Sequence, residues 1–161
     1  GIYYVDVLRW LLDSEVERVS GEVAHLKHQD EAHEDFGVGT FVFKNGSVVT
    51  IEDTWHTEGA GMVLAFQMVG SNGSVMSETT LQGTHPKLEM RTNVRRTLFG
   101  EGRRGWESIE LSSAGSQMTA HMLAVLRGEL EPIVNEDDSR ASLAACLAFY
   151  RAAEEHRAIL L

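Results

Sequence analysis

Hydrophobic residues recur at helical spacing at the start of the chain. Ile2, Val5, Leu8 and Leu12 fall three or four positions apart, with Trp10 beside them, and predict an amphipathic helix over residues 2–12. Asp13-Ser14 breaks that run. From Glu15 to about Trp106 the apolar period shortens toward two, the period of strands. Val19 and Val23 mark a first strand running toward Lys27, and the polar, acidic stretch 28–35 reads as a loop. Residues 36–43 alternate, Lys44-Asn45-Gly46 turns the chain, and residues 47–55 alternate again. An Asn-Gly between two alternating runs is a strong hairpin signal. Residues 62–69, the turn Gly70-Ser71-Asn72-Gly73 and residues 74–80 predict a second hairpin. Residues 88–93 and 94–99 predict two shorter strands. The pattern then returns to helical spacing. Met118, Met122 and Val125 share a stripe in residues 116–127, with Gly128 placed as a C-cap. Asn135-Glu136-Asp137-Asp138 supplies a cap and acids at a helix start, before an Ala-rich helix over 139–156 whose stripe is Ala141, Ala144, Ala148 and Ala152. Residues 158–161 end as a short strand.

Several strands are apolar on both faces. Phe36, Val38 and Val42 point one way and Phe41 and Phe43 the other; Met62, Leu64, Phe66 and Met68 oppose Val63, Ala65 and Val69. An antiparallel sheet of that kind needs cover on both sides. Helices supply one cover, and a subunit or domain contact is expected on the other face, the alternative being helices on both sides.

Composition narrows the class without naming a function. At 161 residues the chain is long enough for one domain, which buries roughly 70% of its unfolded surface. With 43% hydrophobic and 24% charged residues and only 2 Pro, it is neither disordered nor low-complexity. No apolar run approaches the about 20 residues of a membrane span, and the opening residues lack the basic start and cleavage site of a signal peptide. A net charge of −10 leaves no basic footprint for nucleic acid. The single cysteine, Cys146, fits a reducing cytoplasm and reads as an inert residue of the last helix.

Four motifs invite chemistry. Gly100, Gly102 and Gly105 spell G-x-G-x-x-G, but a dinucleotide loop requires a helix N-terminus directly after it, and the following WESIEL has no helical stripe. A glycine-rich loop between late strands is expected. His25, His28 and His33 lie among Asp30, Glu31, Glu34 and Asp35; their spacing defines no ligand geometry, so a solvated loop is expected and no metal. The sequons at Asn45 and Asn72 sit in turns. The pairs Arg95-Arg96 and Arg103-Arg104 read as surface charge. Tyr3 lies on the first helix, where a phenol serves as a general acid or base only if a cation lowers its pKa from about 10. Nothing local supplies that cation, because Arg9 is more than one turn away.

Three segments together resemble the C-terminal domain of the Gfo/Idh/MocA oxidoreductases, the family of glucose-fructose oxidoreductase and inositol dehydrogenase. GIYYVDVLRWL, residues 1–11, is similar to the family's G-x-[HY]-x-x-D-x-x-x-[WY]-L helix. EDFGVGTFVFKNGSVVTIEDTW, residues 34–55, is similar to its central hairpin, and residues 131–157 to its last helix. The resemblance implies an α+β fold of the glyceraldehyde-3-phosphate dehydrogenase C-terminal type: an open, predominantly antiparallel sheet with helices on one face and the other face free to dimerise. It implies a single substrate-binding and dimerisation domain over 1–161, with the Rossmann domain that binds NAD or NADP lying outside this sequence. Tyr3 then takes the motif's acid/base position beside the substrate hydroxyl. Its cation is a lysine of the absent domain, and Asp6 orients the site. The expected substrate is a sugar, a polyol or a related hydroxy compound. The chain alone is expected to dimerise but neither to hold the dinucleotide nor to turn over. The alternative is a non-catalytic dimerising or ligand-binding module of the same fold.

Overall fold

The computed structural model describes residues 1–55, 62–82, 89–100, 105–110 and 117–161. In chain order the elements are α1 (Ile2–Leu12), β1 (Val16–Ala24), β2 (Phe36–Phe43), β3 (Val48–Thr54), β4 (Met62–Gly70), β5 (Gly73–Gln82), β6 (Glu89–Leu98), β7 (Glu107–Ile109), α2 (Gln117–Leu126), α3 (Glu136–Glu155) and β8 (Ile159–Leu160). The α+β class and the antiparallel pairing agree with the sequence reading. The strands divide between two four-stranded sheets, ordered β3-β2-β1-β8 and β4-β5-β6-β7. The chain forms two compact units, Gly1–His56 with Arg127–Leu161, and Thr57–Leu126.

In the first unit the core lies between the first sheet and α3. Val5 and Leu8 of α1, Val16 and Val19 of β1, Phe41 and Phe43 of β2, Ala145, Ala148, Ala152 and Ala153 of α3 and Ile159 of β8 are buried. A bulge between Val16 and Arg18 lets Val16 face Phe43 and Val19 face Phe41, so two residues three apart enter the same core. Phe41 and Phe43 therefore occupy the helix side of β2. Phe36, Val38 and Val42 are half-buried on the other side. The expected alanine stripe of α3 is rotated: Ser142, Ala145, Ala148, Ala152 and Ala153 are buried, whereas Ala141 and Ala144 are only half-buried.

The helix ends follow local chemistry. The Asn135 side chain accepts from the backbone N–H groups of Asp137 and Asp138, and the Asp138 carboxylate accepts from the Asn135 N–H, a closed capping box. This box starts α3 at Glu136, directly after the Asn135 cap that the sequence places at the helix start. His156, at φ 49°, ends the helix in the left-handed region. Gly128, at φ 71°, follows α2 as expected.

In the second unit β4 and β5 pair along their length, and β6 is one continuous ten-residue strand rather than two short ones, because it pairs with β5 from end to end. Residue 88 lies outside the described residues. Along β4, Leu64, Phe66 and Met68 are half-buried while Val63, Ala65, Gln67 and Val69 are exposed. Met118 and Met122, the expected inward stripe of α2, are exposed.

Candidate functional site

The geometry of α1 is set by Arg9, whose role the sequence reading missed. Its guanidinium is buried, with Nε and Nη2 donating to the two carboxylate oxygens of Glu15 at 2.8 and 2.7 Å. Nη1 donates to the Asp138 carbonyl at 2.9 Å and to Ser142 Oγ at 3.0 Å. Ser142 in turn donates to Asp6 Oδ1 at 2.9 Å. Arg9, Glu15, Ser142 and Asp6 thus form one polar network clamping α1 against the first turns of α3. Arg9 is held protonated by its hydrogen bond to Glu15, and the Glu15 carboxyl is lowered chiefly by the same bond. The available signal was an arginine inside an otherwise apolar helix stripe.

This network places the two candidate residues differently. Asp6 is tied into the network by Ser142 and lies 3.7 Å from Arg9 Nη1. Tyr3, on the first turn, is 83% exposed. Its neighbour Tyr4 is half-buried, and its phenol is pushed up by burial and by Asp53. That favours the neutral form of Tyr4 and leaves Tyr3 as the accessible phenol.

The same end of the first sheet carries a second group. The start of α1 lies beside the end of β3, with Gly1 next to Asp53. Asp35 is buried and accepts from the backbone N–H groups of Leu26, Lys27 and His28 at 2.7, 2.8 and 2.9 Å. Its carbonyl accepts from Trp55 N and Thr54 Oγ1. The 28–35 loop is exposed, as expected, yet pinned at its end by a buried carboxylate. Trp55 Nε1 donates to the Glu34 carbonyl at 2.9 Å, and Tyr150 Oη donates to Glu34 Oε1 at 2.5 Å. Tyr150 is pushed up to about 12, first by that hydrogen bond to Glu34 and then by burial. His28, Glu31, His33, Glu34, Asp35 and Trp55 line an open cleft of about 300 Å³.

Other motifs resolve simply. Among the described residues, no three His, Cys, Asp or Glu side chains are grouped to hold a metal. Gly100 and Gly105 take positive φ, and the chain after Gly105 enters β7 rather than a helix, so these glycines do not fit a dinucleotide loop. Gly102 and Arg103-Arg104 lie outside the described residues. Arg96 pairs with Glu107, and Arg95 donates to Met76 Sδ. Asn45 and Asn72 both stand in turns. Cys146 is half-buried and burial pushes its thiol up, away from thiolate reactivity. Among the described residues no helix is long and apolar enough to cross a membrane.

Comparison with known proteins then bears directly on α1 and the hairpin β2-β3. Residues 1–76 match the family model of the GFO/IDH/MocA C-terminal domain. The match contains two of the three segments that carried the resemblance, the Tyr3 helix and the 34–55 hairpin. Solved structures share the fold over the whole chain. An aldose-aldose oxidoreductase from Caulobacter crescentus, complexed with glycerol, is 23% identical with a TM-score of 0.75, over 100% of this chain and 46% of its own. The WlbA dehydrogenase from Bordetella pertussis, in complex with NADH and UDP-GlcNAcA, is 24% identical with a TM-score of 0.70, over 99% of this chain and 43% of its own. A myo-inositol 2-dehydrogenase from Lactobacillus plantarum is 21% identical with a TM-score of 0.70, over 100% and 47%. The chain thus spans less than half the length of these proteins, and at such identities the likeness establishes fold. A search of curated proteins finds no sequence match.

Proposed function

We propose that this chain is the substrate-binding and dimerising C-terminal domain of an NAD(P)-dependent oxidoreductase that acts on a CH–OH group of a sugar, polyol or related compound. The observation that carries the reading is the family match over α1, whose first turn presents Tyr3 to solvent while Arg9 holds the helix from behind. A nicotinamide dinucleotide, held by a Rossmann domain outside this sequence, supplies the hydride chemistry. Tyr3 takes or returns the proton of the substrate hydroxyl, with a lysine of that other domain as the cation it needs. Asp6 acts through Ser142 and Arg9, fixing the pitch of α1 and with it the position of the phenol. Dimerisation uses the β2 face that carries Phe36, Val38 and Val42, opposite α3. The lone, half-buried Cys146 suits a cytoplasmic enzyme.

In the full-length protein Tyr3→Phe is expected to lower kcat by about 10²–10⁴-fold, the usual worth of a positioned acid or base, with the oligomeric state unchanged in light scattering. Unchanged turnover removes Tyr3 from the chemistry. Absence of any NAD(P) binding or turnover in the full-length protein overturns the oxidoreductase reading in favour of a non-catalytic module.

A further inference from the structure

We infer that the cleft beneath the 28–35 loop is a subsite for an uncharged polyhydroxy ring, with Trp55 as its stacking platform and Glu31 and Glu34 as hydroxyl acceptors, and that it disfavours anionic sugars. The inference rests on the oxidoreductase reading for its place in the reaction, and on the cleft itself for its chemistry.

Position comes first. Trp55 follows Asp53 by two residues, and Asp53 lies beside Gly1, two residues before Tyr3. The start of α1, the end of β3 and the 28–35 loop therefore meet at one end of the first sheet, where β3 Thr54 pairs with β2 Phe36. The cleft therefore lies at the end of the first sheet to which the start of α1 is joined. The cleft is also built in advance. The edge nitrogen of the Trp55 indole is anchored on the Glu34 carbonyl, yet the side chain is 74% exposed. An indole fixed at its edge and open on its face suits the C–H face of a sugar ring. Asp35 holds the loop through three backbone N–H groups, and Tyr150 fixes the Glu34 carboxylate through one oxygen, leaving acceptor capacity on the carboxylate for a ligand hydroxyl.

Charge then decides the substrate class. Three carboxylates and two imidazoles line the cleft, and neither lysine nor arginine is among its described lining residues. Carboxylates accept hydrogen bonds from hydroxyls but repel a uronate or phosphate, which is normally met by Arg or Lys. The volume, about 300 Å³, falls at the lower end of small-molecule sites and suits one ring rather than a sugar nucleotide.

The test uses the full-length protein with D-glucose, myo-inositol and D-glucuronate, which differs from glucose only in its carboxylate. Equilibrium binding is read by saturation-transfer NMR and turnover by NAD(P) reduction. A neutral ring is expected to bind at least tenfold more tightly than glucuronate. Trp55→Ala is expected to weaken the neutral ring tenfold or more, and Trp55→Phe to restore most of that loss. Glu31→Gln with Glu34→Gln is expected to narrow the preference over glucuronate. Circular dichroism checks folding of each variant. Glucuronate binding as tightly as glucose or inositol, no binding of any of the three, or neutral binding unchanged in Trp55→Ala overturns the inference. The two readings fail separately. Turnover of an anionic sugar that is insensitive to Trp55 keeps the oxidoreductase and removes the subsite. Trp55-dependent binding of a neutral ring without any turnover keeps the subsite and removes the oxidoreductase.

Discussion

Arg9 illustrates how much a single side chain decides here. It crosses from α1 to α3 and meets the Asp138 carbonyl and Ser142, while its other edge takes the Glu15 carboxylate. Removing it strands Ser142 and Asp6 and loosens α1, so Arg9→Ala is expected to cost about 2–4 kcal/mol in urea unfolding of the full-length protein. The Glu15 carboxyl is lowered in the fold, first by its hydrogen bond to Arg9. A lowered acid stabilises above its ordinary value and loses that contribution as pH falls through its folded value. Glu15→Gln should therefore flatten the acid limb of the stability profile. Tyr150 behaves oppositely. Its phenol rises from near 10 to about 12 under Glu34, burial, Cys146 and Asp53. Its contribution is complete below pH 10 and is lost as pH rises toward 12. Absorbance at the tyrosinate band is expected to show a tyrosine titrating toward 12 that titrates earlier in Glu34→Gln, with burial still holding it above its ordinary value. Neither contact was legible in the sequence, since Arg9 and Ser142 are separated by 133 positions and Tyr150 and Glu34 by 116.

At the level of elements, the strand glycines show why pattern alone runs out. FGVGTF reads as an alternating strand, and β2 is that strand over Phe36–Phe43. Why Gly37 and Gly39 of β2 and Gly21 of β1 lack side chains appears only when α3 is placed. The Phe149 ring lies over all three, stacked on Phe41 at 6.4 Å between centroids. A Cβ at Gly21 would stand 2.4 Å from the Phe149 ring and 2.6 Å from the Val38 carbonyl oxygen, and the backbone neighbour cannot swing aside. Gly21→Ala is therefore expected to cost about 1–3 kcal/mol, the usual price of overpacking, measured by thermal unfolding. The hairpins and α1 were legible because each is encoded within a short contiguous stretch by turn chemistry and period. The rotated face of α3 was not: alanine is small enough to lie on either side of a helix, and the buried set depends on which residues meet β1.

For the whole molecule, the register of the first sheet gives the outer face a definite character. Val38 of β2 stands between Glu22 of β1 and Glu52 of β3, and Val42 between Arg18 and Val48. Thr40, between Ser20 and Thr50, separates the two valines, so the face is apolar along β2 at Phe36, Val38 and Val42 and polar around them. If this face dimerises, Val38→Asp puts a third carboxylate in the row between two glutamates and is expected to shift the full-length protein toward monomer in light scattering. An unchanged dimer would move the interface elsewhere. The sequence by itself determined the element types, the antiparallel hairpins and the resemblance that singled out Tyr3, because those signals are local: period, turn residues and a contiguous motif. Only the tertiary structure decided that the strands form two sheets, that Arg9 ties the Tyr3 helix to α3, and that Trp55, Glu34 and Tyr150 meet at the same end of the fold. Those contacts join residues far apart in the chain, and their geometry comes from packing and long-range hydrogen bonds that no local pattern records.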